Sequence, residues 1–199
     1  DDDGVNDALD VDPVDAMAPL RDRVLEVDGA ATSYVEASRH DRYALPEWTV
    51  QAWIKSDVMG GTIIERKVED DVFNYFLRLT GAGRLQAGFT PGDRTADVVL
   101  ESEVTAMQPT RWYHVAASFD EAEGRLALYI DGMEAAPLDT PKRPAHSGVG
   151  PVWTRVGQGY DGLIDEPAIF ASAQSAAQLA ASKFGVNSSA GDLVSFFAF

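Results

Sequence analysis

From Val24 onward the chain is a succession of short runs in which apolar and polar residues alternate, with Gly, Pro or Asp between them. Side chains on a strand point alternately to its two faces, so each run can turn one face to a core and the other away. Many short strands with turn residues between them are the pattern of a sandwich or barrel. The predicted strands cover 24–27, 34–37, 48–55, 62–66, 73–79, 85–90, 97–100, 112–119, 125–130, 133–136, 153–157 and 162–170. Asp131-Gly132 is a type I′ hairpin signal, while 137–151, with four Pro and two Gly, reads as a long loop. One helix is predicted over 175–184. Ser175-Ala-Ala-Gln178 is a capping box, Leu179 and Phe184 supply apolar contacts, and Gly185 suits the position after the end.

The alternation also predicts a core. Val50, Ile54, Leu77, Val115, Phe119, Leu128 and Ile130 fall in phase on separate strands. The resulting fold class is all-β: a two-sheet antiparallel sandwich, or jelly roll, with one short C-terminal helix. At 199 residues the chain has length for one well-filled domain. No apolar stretch approaches the roughly 18 residues of a membrane span, so membrane insertion is not expected.

Charge narrows the partners. The formal net charge is -16, from 16 Lys and Arg against 32 Asp and Glu. Such a field repels phosphate backbones and attracts cations, which argues against nucleic acid. Asp-rich, Lys-poor composition fits a high-salt habitat, and equally the codon usage of a GC-rich genome. There is no Cys, which removes disulfides, zinc-thiolate sites and Cys nucleophiles. The chain opens on Asp1-Asp2-Asp3 with no signal-peptide pattern, and residues 1–19 read as an acidic linker.

Several pieces, in order, carry a resemblance to a known family. They are Leu25-Glu-Val-Asp28-Gly29 leading to Tyr34-Val35, Trp48-Thr-Val-Gln-Ala-Trp53-Ile54, and Trp112-Tyr-His-Val-Ala-Ala-Ser-Phe119 with Leu128-Tyr-Ile-Asp131-Gly132. Gly162-Leu-Ile-Asp165-Glu166 and the helix start Gln174-Ser-Ala-Ala-Gln-Leu179 complete the set. The chain resembles the laminin-G-like jelly-roll domains of the concanavalin A-like lectin/glucanase superfamily over about residues 20–185. Residues 186–199 fall outside the match. They read either as a closing strand or as the start of a following module.

Glucanases of that superfamily carry paired carboxylates on one strand, spaced Glu-x-Asp-x-Glu. Alternation then lets one carboxylate act as nucleophile and another as acid. Here Glu26-Val-Asp28 runs on into Gly29-Ala30-Ala31, so the second Glu is missing. Asp165 and Glu166 are adjacent and should point to opposite faces. His40, His114 and His146 have no metal-ligand spacing, and there is no Gly-x-Ser-x-Gly, phosphate loop or dinucleotide motif. No catalytic residues are expected, and the chain does not read as an enzyme.

The resemblance implies a structural Ca²⁺ joining the first strand to a late one, at Asp28 and Asp165 by position. The residues alone read equally as an Asx-turn at Asp28 and a loop cap at Asp165. It also implies a sugar or protein ligand. Out of phase with the core stand Gln51, Trp53, His114 and Tyr129, an aromatic face with polar neighbours suited to a sugar ring. The competing expectation is that a covering loop, such as 137–151, buries Trp53 and Tyr129. The implied function is a non-catalytic binding or adhesion module of an extracellular or cell-surface protein, with a glycan or a cell-surface protein as partner. The alternatives are a domain of a polysaccharide-degrading glycosidase and a passive spacer.

Overall fold

The computed structural model describes residues 24–37, 40–103, 107–148 and 152–197. The acidic linker expected at 1–19 lies outside these residues. Two antiparallel sheets make a sandwich. Its strands are β1 (Leu25–Asp28), β2 (Val35–Ala37), β3 (Trp48–Val58), β4 (Gly61–Glu69), β5 (Val72–Leu79), β6 (Leu85–Phe89) and β7 (Val98–Glu101). They continue as β8 (Trp112–Asp120), β9 (Arg125–Ile130), β10 (Met133–Asp139), β11 (Trp153–Val156), β12 (Asp161–Phe170) and β13 (Leu193–Phe196). One sheet runs β1-β12-β3-β8-β9-β10, with β13 also on β12; the other runs β2-β11-β4-β5-β6-β7. The short helix α1 (Ala176–Ser182) follows β12.

The inward phase of each strand fills the space between the sheets. Val50, Ile54, Leu77, Val115, Phe119 and Leu128 are buried there, as their alternation requires, and Ile130 packs against them at the margin. Phe119 joins the two layers: its ring centroid lies 4.8 Å from that of Phe89 and 6.2 Å from that of Trp48. Trp48 in turn lies 5.6 Å from Tyr75. The Asp131-Gly132 hairpin has positive φ at both residues, 55° and 78°, as a type I′ turn demands.

Three local expectations are corrected. β10 continues through Pro137 to Asp139, where a loop was expected. It is an edge strand, where a residue without an N–H is tolerated. The helix stops at Ser182, and Phe184 is 64% exposed, so it makes none of the apolar contact that the sequence suggested. Finally, Asp165 and Glu166 do not lie on a regular strand, so strict alternation does not apply to them. The pairing of β12 with β3 slips between Asp165 and Ala168, Glu166 has φ 47°, and both carboxylates are buried. A bulge of this kind breaks the two-residue period on which the alternation argument rests.

The same bulge divides the outer edge of β12. Asp161 to Ile164 pair with β1, and Ala168 to Phe170 pair with β13. The first and last described strands thus share one edge.

Candidate functional site

The outer face of the seven-stranded sheet carries the four residues expected to meet a ligand. Alternation does turn them away from the core, with Trp53 opposite His114 across β3 and β8. They are nonetheless covered. Gln51, Trp53, His114 and Tyr129 are 1%, 3%, 1% and 6% exposed. The cover is α1 and its C-terminal turn rather than the 137–151 loop. Leu179 packs on Ala116, Ala127 and Tyr129, where two alanines let the helix approach closely. Ser182 Oγ donates to Gln51 Oε1 at 2.9 Å, and Trp53 Nε1 donates to the Lys183 carbonyl at 3.3 Å. The open aromatic face expected from the sequence is therefore corrected to a buried helix seat. Tyr129 retains only an edge on a cleft of about 330 Å³, rimmed by Asp120, Glu123 and the Arg125–Glu134 ion pair.

His114 sits at the centre of that seat. Its ring meets Trp53 edge-on at 5.5 Å, and neither ring nitrogen has a hydrogen-bond partner. Burial, then the positive charge of Lys183, pushes its pKa down to about 3. It is a neutral, sealed imidazole, unsuited to touching ligand or metal in this state.

The two carboxylates expected to share Ca²⁺ do not converge. Asp28 pairs with Asp161, whereas Asp165 lies four residues further along β12. At roughly 3.3 Å per residue the separation is about 13 Å, too far for one coordination shell. Asp28 is exposed, and its Oδ1 accepts the Ala30 N–H at 3.1 Å, the Asx-turn geometry. That bond, then the Ser33 hydroxyl, holds its carboxyl below the usual range. Asp165 is buried, and its Oδ1 accepts the Glu166 N–H at 2.7 Å. Among the described residues no three His, Cys, Asp or Glu side chains gather as metal donors. The donor set does not fit the implied ion.

The other sheet presents the opposite situation. Among the described residues no helix or strand lies over the outer face of the six-stranded sheet. Strand register places one row across it: Glu36, Arg155, Glu65, Phe76, Gly88 and Val99 stand opposite one another on β2, β11, β4, β5, β6 and β7. Flanking that row are Trp153 opposite Lys67, and Arg78 opposite Thr62. Gly88 leaves room that the Phe76 ring fills: a Cβ there would stand 2.6 Å from Phe76 Cζ and 2.1 Å from the Val98 carbonyl oxygen.

Two guanidinium groups organise this surface. Arg155 Cζ lies 4.1 Å from the ring centroids of both Tyr34 and Trp153. Its Nε donates to Glu36 Oε2 at 2.8 Å and its Nη1 to Gln158 Oε1 at 3.1 Å. Arg78 Cζ lies 4.2 Å from Phe76 and 4.9 Å from Phe73, and its Nη2 donates to buried Glu65 at 2.7 Å. The rings fix the arginine planes, and the carboxylates fix their rotation. The result is a preorganised surface of donors and acceptors in which Tyr34, Phe73 and Trp153 are half-buried and Phe76, 1% exposed, is closed off against Arg78. Sequence reasoning missed it, though a signal was there. Trp153-x-Arg155, Glu65-x-Lys67 and Phe76-x-Arg78 each put large polar or aromatic groups on the outward phase of an otherwise apolar strand.

Comparisons with known proteins agree on the fold. A search of curated protein sequences gave no match. Among solved structures, the sialidase CBM40 of Ruminococcus gnavus bound to α2,3-sialyllactose superposes with a TM-score of 0.68 at 18% identity, covering 81% of this chain and 96% of that one. Domain 4 of an extracellular GH43 arabinanase from Geobacillus stearothermophilus, in complex with arabinotriose, gives 0.55 at 19%, covering 76% and 73%. A protein from Bacteroides ovatus described as carbohydrate binding gives 0.61 at 18%; 88% of this chain covers 48% of that one, about half its length. A family profile of the concanavalin A-like lectin/glucanases superfamily matches residues 28–180. That match takes in both sheets and most of α1, and the chain belongs to this laminin G-like family of the concanavalin A-like lectin/glucanases superfamily.

Proposed function

We propose that this domain is a non-catalytic carbohydrate-binding module of a larger secreted or cell-surface protein, and that it holds its glycan on the outer face of the six-stranded sheet. One observation carries the reading. Of the two outer faces, one is sealed by α1, while the other displays half-buried Tyr34, Trp153 and Phe73 beside fixed charged groups. A glycan can be held where half-buried rings wall a surface and fixed polar groups converge on it. The sugar-bound modules among the structural neighbours support the ligand class. The bulge at Asp165 and Glu166, buried and away from this face, supports a role without catalysis.

A glycan array tests the proposal. The domain should bind a restricted set of glycans, and Trp153→Ala should weaken its best ligand at least tenfold while leaving the melting temperature within a few degrees. Retained affinity in that variant would move the site elsewhere, and an array without any bound glycan would remove the reading.

A further inference from the structure

Resting on that reading, the geometry points to a carboxylated sugar as the ligand, its carboxylate taking the place on Arg155 that Glu36 occupies in the free domain. Arg155 and Arg78 lie against the faces of Tyr34, Trp153, Phe73 and Phe76, at 4.1 to 4.9 Å from ring centroid to Cζ. A face already stacked by a guanidinium is not available to the CH groups of a neutral sugar. What such a surface offers is the in-plane N–H edge of the arginine, which matches a carboxylate in two parallel bonds.

Arg155 is the better placed of the two. Arg78 is tied to Glu65, a carboxylate with a side chain only 7% exposed, which an incoming ligand cannot easily displace. Arg155 is tied to Glu36, 44% exposed on edge strand β2, through one 2.8 Å bond from Nε. A guanidinium has five N–H donors. The bonds to Glu36 and Gln158 take two of them. Glu36 therefore stands in for a ligand carboxylate, held by a single bond where a bidentate acceptor would make two. Lys67, opposite Trp153 with its Nζ 6.0 Å from the ring, is paired with the exposed Asp70 at 3.0 Å, a partner that a ligand carboxylate could likewise replace. Screening within about 8 Å at physiological salt makes this local arrangement, rather than the net charge of -16, what a bound carboxylate feels.

Titration calorimetry with matched pairs tests the inference. Trigalacturonate is compared with its methyl ester, and 3′-sialyllactose with lactose; which acid pair discriminates tells a uronic from a sialic acid. One carboxylated probe should bind at least tenfold more tightly than its neutral counterpart. Arg155→Gln should erase that ratio, and Glu36→Gln, which keeps the fold and removes the competing carboxylate, should tighten the acidic probe several-fold. Circular dichroism confirms that both variants are folded. Equal binding of acid and neutral probes, or neutral glycans bound in their place, would overturn the carboxylate assignment and leave the glycan reading intact. Discrimination that survives Arg155→Gln, or affinity unchanged by Glu36→Gln, would overturn it equally. An array with no bound glycan would remove both.

Discussion

Lowering the pH from 7 to 4 should destabilise this domain through one histidine. His114 is an ordinary imidazole of pKa near 6.5 in the unfolded chain but is pushed down to about 3 in the fold, chiefly by burial under α1 and secondarily by Lys183. The unfolded state therefore binds a proton that the folded state refuses. The stability tied to this difference is fully present above pH 6.5 and is lost progressively as the pH falls toward 3. At about 1.36 kcal/mol per pH unit, the whole interval is worth on the order of 5 kcal/mol. Asp131 and Lys183 border the site: Asp131 Oδ1 accepts the His114 backbone N–H, and Lys183 Nζ donates to the Asp131 carbonyl. Neither bonds the ring, so neither rescues the charge. Acidification also relieves the repulsion of an excess of carboxylates, an opposing effect that the wild type and a variant share. Urea melts of wild type and His114→Leu at pH 7 and pH 4 isolate the histidine. The variant, with no orphaned polar atoms at this position, should lose several kcal/mol less than the wild type on going to pH 4. Parallel losses in the two proteins would contradict a sealed, neutral His114.

Phe119→Ala should destabilise the fold by about 3–5 kcal/mol, the range for a large aromatic deleted from a packed core. Its ring is fully buried and touches both layers, meeting Phe89 of one sheet and Trp48 of the other. Those neighbours are held in strands bonded on both sides, so they cannot collapse into the space left behind. The denaturation midpoint should fall with the slope unchanged. A loss below about 1 kcal/mol would mean that the two sheets do not meet at this residue.

Phe119 also marks what the sequence made legible. A period of two needs only short-range information, so the core positions and the strands bearing them follow from the order of residues. The same holds for the Asp131-Gly132 turn and the capping box at Ser175, whose chemistry is local. The ligand face was not legible because it depended on what covers each sheet. Alternation puts Trp53 and His114 outward, and it does so equally for Trp153 and Arg155. Nothing local says that the turn after α1, whose Lys183 carbonyl accepts from Trp53, reaches back more than sixty residues to the first pair while the second stays half-buried. Asp28 and Asp165 failed as a joint ion site for a related reason: sharing an ion depends on the register of β1 against β12, which neither strand encodes alone.

The proposed function puts the glycan on the six-stranded sheet. Backbone amide chemical shifts, recorded with and without the best-binding oligosaccharide from the array, test this directly. The largest changes should fall on Tyr34, Glu36, Lys67, Phe76, Trp153 and Arg155, with α1 and the strands beneath it unmoved. Shifts concentrated on Trp53, His114, Tyr129 and α1, with the six-stranded sheet silent, would contradict it.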